Sequence, residues 1–411
     1  MMKEFLEDIS LKKGYNRSLI LNSVRKYEPV SRTRIKEVSG IRLASITELV
    51  KELSEKGFLR EVGVGDSERG RKQVLLELNS RNGFVIGVEF DADHVIGVAA
   101  DLKAGILARR QIHFPDHRRE AIIAGIIRII GEVIENSGVP REKLMGIGIA
   151  DPGIVDSRRG VSVFSTTIRD WHEVPLKEIM EAEFKLPVFL EESTRSKTLC
   201  EQRYGAGKNI DHLMFIEFGK GIGCGMILNG ELFRGFSESA GELGHMRVIE
   251  NGPVCNCGAF GCLEAVSSLP AIGVRAVKMI KEGANSAILD YAGGEVDKIA
   301  AEHVFQAARK GDKLALGIID EVVKYLGIGI ANAVNFFNPQ MVIFDAAIGQ
   351  VEDLILEPVK KMIKRQALDI STRQLEFEVS RMGEETGALG AATLVLDKFF
   401  EIPQLKIPDY L

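Results

Sequence analysis

Phe84-Val-Ile-Gly-Val-Glu-Phe90 and His94-Val-Ile-Gly-Val-Ala-Ala-Asp101 are apolar runs of strand length, joined by the tight turn Asp91-Ala92-Asp93, and they decide the fold. Short β-branched runs bounded by turn residues read as buried strands. A third strand follows over about 106–114, then an Ile-rich helix over 118–136. Leu144-Met-Gly-Ile-Gly-Ile-Ala150 is a further strand and ends in Asp151-Pro-Gly153. Strands, crossover helix and strand make α/β construction, with sites expected at the carboxyl ends of the strands.

The pattern recurs. Pro187-Val-Phe-Leu190 leads into a helix over about 194–204, and Met214–Phe218 with Ile222–Asn229 form a second hairpin around Lys220-Gly221. Residues 270–336 read as mostly helical, Met341-Val-Ile-Phe344 as a buried strand, and Gly383-Glu-Glu-Thr-Gly-Ala-Leu-Gly-Ala-Ala392 as the start of a closing helix whose small residues suit close packing. The fold expected is α/β and two-lobed, actin-like or sugar-kinase-like (ribonuclease H-like), with ligand in the cleft between lobes.

Residues 1–80 read differently. Helices are expected over 16–26, 31–38 and 43–56, with Ser31 as an N-cap and Gly40 and Gly57 as terminators. Two alternating strands, 58–62 and 74–78, then flank a tip over 63–72 that ends in cations. This is a winged helix-turn-helix pattern, in which the third helix enters the major groove. Arg42, Ser45 and Thr47 are its expected groove contacts, Arg32 and Arg34 hold backbone, and Arg69, Arg71 and Lys72 reach phosphates or the minor groove. The alternative is a protein-interaction or dimerisation head, and Glu48 on the groove side speaks for caution. This head carries 16 Lys+Arg against 12 Asp+Glu, whereas the remaining 331 residues carry 37 against 46. A basic head on an acidic body suits contact with a polyanion.

At 411 residues and 45% hydrophobic, the chain is long enough for more than one core. No apolar run approaches the roughly 20 residues that cross a bilayer, and the first ten residues lack signal-peptide order, so a cytoplasmic protein with no membrane partner is expected. Three of five cysteines fall in Cys255-x-Cys257-x4-Cys262, a spacing that favours metal over disulfide. Tetrahedral zinc needs a fourth ligand, for which His245 is the nearest candidate; such a closed set is structural. Reduced cysteines packed in a loop are the alternative. Cys200 and Cys224 read as buried small side chains.

Gly221-x-Gly-Cys-Gly225 through Asn229-Gly230, Glu238-Ser-Ala-Gly-Glu-Leu-Gly-His245 and Cys255-Asn-Cys-Gly-Ala-Phe-Gly-Cys-Leu-Glu264 form a specific succession. With it, residues 14–78 and 83–395 resemble the ROK family (repressors, open reading frames of unknown role, and sugar kinases), in the repressor branch of xylose- and N-acetylglucosamine-type sugar repressors. The resemblance implies that His245, Cys255, Cys257 and Cys262 bind structural zinc. It also implies that Glu242 and Glu264 take sugar hydroxyls, that His245 faces the sugar too, and that the Asp151 turn lies beside it. Arg169-Asp-Trp171 matches a loop closing over the ligand, where Trp171 either covers a ring or anchors a core.

Kinases of this family use the Asp of an Asn-Asp pair as base, and here Glu192 and Ser193 stand there. A serine hydroxyl is no general base near neutral pH. The usual Asp-x-Gly-Gly-Thr turn is replaced by Glu89-Phe-Asp-Ala-Asp93, Lys220 replaces a threonine, and Phe344-Asp345-Ala346 replaces an apolar-Gly-Gly. No kinase activity is therefore expected. Glu192, Ser193 and Arg195 form a changed recognition set, in which Arg195 answers an anionic group on the effector or pairs with Glu192, Glu89 or Asp91.

The resulting expectation has a winged head over 1–80, a small lobe over 81–193 plus about 384–400, and a large lobe over 194–383 with the zinc loop and dimerisation surface. It is a homodimeric or tetrameric repressor of a palindromic operator DNA, with a sugar or polyol effector that closes the lobes and moves the heads through residues 79–83. The alternative is an ATP-dependent ROK sugar kinase with a fused DNA-binding head.

Overall fold

A computed structural model describes residues 11–65, 73–114 and 116–403. The expected wing contacts Arg69, Arg71 and Lys72 lie outside the described residues. In the head, α1 (Leu11–Tyr27), α2 (Arg32–Ser39) and α3 (Leu43–Glu55) precede the hairpin of β2 (Leu59–Gly65) and β3 (Gln73–Leu78), and β1 (Val30–Ser31) pairs with β3. The Ser31 hydroxyl accepts the Arg34 N–H at 3.2 Å and so caps α2, while Gly40 ends it at φ 71°. Ile46, Leu49, Val50 and Leu53 are the buried face of α3, at the spacing the sequence predicts.

The body repeats one sheet pattern twice. In the first sheet β4 (Phe84–Phe90), β5 (His94–Asp101) and β6 (Ile106–His113) run antiparallel, and β7 (Leu144–Asp151) and β11 (Val188–Glu192) extend β4's other side in parallel. A small sheet, β8 (Ile154–Asp156), β9 (Val161–Phe164) and β10 (His172–Val174), is inserted between β7 and β11. In the second main sheet β12 (Leu213–Phe218), β13 (Ile222–Leu228) and β14 (Glu231–Leu232) are antiparallel, and β15 (Met341–Phe344) and β16 (Glu376–Val379) are parallel additions beside β12. The two sheets are thus related halves, each opened by a hairpin.

Helices fill the layers. On the first sheet α4 (Arg119–Ser137) buries Ile122, Ile126, Ile129, Ile130 and Val133. Between the sheets lies α5 (Ser193–Tyr204), and α6 (Lys313–Phe337) carries much of the large-lobe core. The closing helix α7 (Thr386–Phe400) presses on the first sheet so tightly that a Cβ on Gly148 would sit 1.8 Å from the Ala391 carbonyl oxygen. The glycine run after Gly219 has the same kind of cause. A Cβ on Gly225 would meet the Thr198 Oγ1 of α5 at 1.8 Å, so this glycine serves helix packing.

No flexible joint separates head from body. Ile20, Leu21 and Val24 of α1 share a hydrophobic core with Leu389, Val395, Leu396 and Phe399 of α7. The Phe58 and Phe399 rings stand 5.3 Å apart, and the Arg25 guanidinium lies 4.4 Å over the Phe400 ring. Arg25 Nη2 also donates to the Tyr204 hydroxyl, at the far end of α5, at 3.2 Å. No helix among the described residues is long and apolar enough to cross a membrane.

Two glycines separate contact from intrinsic propensity. Gly148→Ala is expected to lower stability in urea unfolding by about 1–3 kcal/mol, because α7 must move. Gly131→Ala in α4, where an added Cβ meets nothing within 4 Å, should be neutral or stabilising by up to about 1 kcal/mol.

Candidate ligand cleft and metal centre

β4 and β12 hold equivalent places in the two sheets, and both end in Glu-Phe: Glu89-Phe90 and Glu217-Phe218. Lys197 of α5 reaches both acids, with Nζ 2.9 Å from Glu89 Oε1 and 2.7 Å from Glu217 Oε1. The Thr194 hydroxyl donates to the other Glu217 oxygen at 2.7 Å. Burial pushes Glu89 above the usual carboxylate range. Glu217, although buried too, is held below it by the ammonium. Against the same desolvation, the two carboxylates hold Lys197 well above an ordinary lysine. Asp345 follows β15 beside this group, and burial with the nearby Glu217 charge pushes it to about 7.

A cavity of about 1120 Å³ opens between the lobes. Glu192, Ser193, Glu242, His245 and Glu264, all named from the sequence, line it. Glu192 is also the N-cap of α5: its oxygens accept the Thr194 and Arg195 amide protons at 2.7 and 2.9 Å. Burial raises its pKa. Glu264 Oε2 accepts the Ile222 amide at 3.3 Å, and a Cβ on Gly221 would come within 2.7 Å of that oxygen. The glycine at 221 therefore admits a cavity carboxylate to the β13 backbone.

Packing corrects the expectations for Arg195 and Asp151 and decides between the two for Trp171. Arg195 is 2% exposed and does not line the cavity; its Nε donates to Glu191 Oε1 at 2.7 Å, and Arg234 Nε meets the other Glu191 oxygen at 2.6 Å. One turn into α5 its side chain points behind the cavity wall, so it answers neither an effector anion nor Glu89 or Asp91. Asp151 is wholly buried, and its Oδ1 accepts the Gly153 amide at 2.7 Å. Desolvation pushes it to about 7, and only its turn, Pro152 to Ile154, reaches the cavity. Trp171 is a core anchor, fully buried, with Nε1 donating to Ser162 Oγ at 2.7 Å and its ring 5.5 Å from Phe90.

Sequence reading missed Glu191, Lys197 and Glu217. The Glu-Phe repeat at the ends of two strands was a visible sign for the acids. Lys197 offered none, because its partners stand 108 and 20 residues away.

His245, Cys255, Cys257 and Cys262 come together as expected, with their ligand atoms all within 4.8 Å of one another. Cys255 Sγ is 3.6 Å from His245 Nδ1, and Cys257 Sγ is 3.8 Å from Cys262 Sγ. A tetrahedral ion with metal–sulfur bonds of ~2.3 Å and a metal–nitrogen bond of ~2.0 Å needs ligand edges of about 3.5–3.8 Å. These two edges therefore already stand at bonding separation. Burial pushes the Cys255 thiol up to about 12, so a bound cation is what would make a thiolate cluster favourable here. Gly261, at φ 71°, closes the loop where a Cβ would strike the Ile249 carbonyl oxygen at 1.8 Å. With Nδ1 turned to the sulfurs, His245 places Nε2 3.8 Å from Glu242 Oε2, so one imidazole touches metal loop and cavity.

Paired hairpin sheets around an interlobe cavity define a two-lobed α/β ligand-binding protein of the sugar-kinase and actin architecture. The chain belongs to the ROK family, whose model matches residues 85–398. It is 28% identical over 396 residues to the xylose repressor of Caldicellulosiruptor bescii, covering 96% of this chain and 98% of that one. It is 30% identical over 390 residues to the DNA-binding transcriptional dual regulator NagC of Escherichia coli K12, covering 94% of each. A solved ROK family transcriptional regulator, a homologue of the E. coli MLC protein, superposes with TM-score 0.82 at 25% identity over 95% of this chain and 97% of that one. A ROK glucokinase from Streptomyces griseus superposes with TM-score 0.66 at 29% identity, over 76% of this chain and 99% of that one.

Two measurements test the site. Elemental analysis should find about one zinc per chain, and Cys262→Ser should lose it and lower the melting temperature. Asp345 binds its proton more tightly when folded, so its contribution is present below pH 4 and lost as pH rises through about 7. Asp345→Asn, which keeps an oxygen for the Ile348 amide, should gain stability over wild type as pH rises through that window and show no gain below pH 4. Equal urea midpoints at every pH would mean that the carboxyl titrates alike in the folded and unfolded chain.

Proposed function

We propose that this chain is a sugar-responsive transcriptional regulator, a repressor whose winged helix-turn-helix head binds a palindromic operator as part of a homodimer. The observation that carries this reading is the pairing of a helical head with a cleft that keeps carboxylate hydroxyl acceptors and has a serine at the place of the expected base. Glu242 and Glu264 face the cavity, and carboxylate oxygens accept the hydroxyl protons of a polyol. Ser193 stands at the place of the expected base, and both oxygens of neighbouring Glu192 are engaged by helix amides. Glycines that resemble a phosphate cradle have packing roles against Thr198 and Glu264, so they give the kinase alternative little support.

The charge of the cleft narrows the effector. Among the described residues, the lysines that line the cavity, Lys197 and Lys220, are both paired with carboxylates. Arg195 faces away. An uncharged sugar or polyol fits this lining better than a phosphorylated one. A zinc ion held by His245 and the three cysteines would fix the loop that presents Glu264, and it has a structural role.

For the head, Arg42 and Thr47 are exposed on α3 and Ser45 is half-buried beside them. Arg32 and Arg34 form ion pairs with Glu61 and Glu37, exposed enough to be exchanged for phosphate. Effector occupancy would reach the head through α5, which runs from the cavity at Ser193 to Tyr204 under Arg25, as well as through the chain at 79–83. A 100-fold change in operator affinity needs about 2.7 kcal/mol of differential effector binding between the two head arrangements.

Operator binding followed by fluorescence anisotropy, with a panel of neutral and phosphorylated sugars, tests the reading. High-affinity binding to a palindrome, relieved by a neutral sugar, is expected. Glu242→Ala should keep operator affinity and lose the sugar response, and Arg42→Ala should weaken operator binding by about 1–3 kcal/mol if it reads a base. Sugar-dependent ADP release from ATP–Mg²⁺ at ordinary enzyme rates, about 1–10³ s⁻¹, would replace the regulator by a kinase.

A further inference from the structure

At one mouth of the cleft the turns of the two hairpins face each other. Asp91-Ala92-Asp93 joins β4 to β5 in one lobe, and Gly219-Lys220-Gly221 joins β12 to β13 in the other. Lys220 Nζ lies 2.9 Å from Asp91 Oδ2 and in direct contact with Asp93 Oδ2. We propose that this bridge is an intramolecular clasp, in which the ammonium of one lobe is shared by the two carboxylates of the other and holds this mouth shut with no bridging ligand.

Both sides are built to present these charges. Asp91 Oδ1 accepts the Asp93 and His94 amides at 2.7 and 2.8 Å, which leaves Oδ2 for the opposite lobe. The His94 and His117 rings flank the acids, with Nδ1 atoms 3.0 Å from Asp91 Oδ1 and 3.7 Å from Asp93 Oδ1. Across the gap, Gly219 N–H donates to the Gly221 carbonyl at 3.0 Å, a tight turn that puts Lys220 at its tip. Two carboxylates one residue apart repel each other and any anion, and a single ammonium between them relieves that repulsion.

Other polar ties also join the lobes. Lys197 bridges Glu89 and Glu217 inside the cleft. On another side Glu238 accepts the Ser157 amide at 2.5 Å and lies 3.3 Å from Arg158 Nε. The Lys197 side chain is 20% exposed, whereas the Lys220 side chain is 60% exposed, so salt screens the Lys220 tie more than the one inside the cleft. The Lys220 turn is also one residue from Ile222, whose amide Glu264 holds, so the clasp and the cavity share a backbone segment. The inference stands on the cleft alone and holds whether or not the chain binds sugar or DNA.

Hydrogen exchange of the full-length, metal-loaded protein tests it, read by mass spectrometry over 90–96 and 218–224, with the radius of gyration from X-ray scattering. Lys220→Glu should speed exchange several-fold at both turns and enlarge the radius, while Lys220→Arg should match wild type. Asp93→Lys added to Lys220→Glu should restore protection, because it swaps the charges and leaves the Asp91 turn bonds intact. In wild type, about 1 M salt, where the Debye length falls to about 3 Å, should act in the direction of Lys220→Glu. Wild-type exchange and radius in Lys220→Glu would overturn the clasp, as would a charge swap no better protected than the single variant.

Discussion

Two half-buried carboxylates from different lobes share one ammonium, and the cleft is organised around that fact. Glu89 ends the first strand of one sheet, Glu217 ends the equivalent strand of the other, and Lys197 lies between them on the helix that both sheets pack against. Removing charges from water is costly, and the cost is offset only where opposite charges and hydrogen bonds meet at short range. Without Lys197 the lobes would bring two desolvated anions together. With it, the ends of the two hairpins can approach, and the space between them becomes a cavity with walls from both halves.

The same helix carries several constraints at once. Its first turn is capped by Glu192, its next residues touch Glu217, and its buried side is accommodated by glycine at 225. Its far end reaches Arg25 of the head through Tyr204, close to where α1 and α7 share a core. The two ends of α5 therefore touch the cavity and the head. The histidine of the cysteine loop has a comparable double position, with one ring nitrogen toward the sulfurs and the other toward Glu242.

Changes that look like loss in the sequence have structural partners. Asp91, Asp93 and Lys220 each depart from a phosphate-binding pattern, yet they meet across the cleft as complementary charges. Asp345 introduces a carboxyl where the related pattern has glycine, and burial keeps its proton affinity high. Glu191 is neutralised by Arg195 and Arg234 behind the cavity wall. Taken together these contacts pair most of the charges in and around the cleft with opposite ones.

The fold class, the paired hairpins, the head helices with their Ser31 cap and Gly40 terminator, and the cysteine loop were all legible in the sequence. Each depends on neighbours within a few residues: hydrophobic period, turn length, a cap, or ligand spacing along one loop. The roles of Arg195, Asp151 and Trp171 were not, because a sequence names a side chain without saying which side of a wall it occupies. Arg195, open between an effector anion and a neighbouring acid, turns to Glu191; Asp151, expected beside the ligand, lies beneath its own turn; and Trp171, open between ring cover and core anchor, fills a core. Lys197 was invisible for the same reason, since its two partners come from separate lobes. Local chemistry along the chain determined the elements and the metal loop; only the packing of one lobe against the other decided which charges meet, because burial and long-range pairing exist only once both sheets are in place.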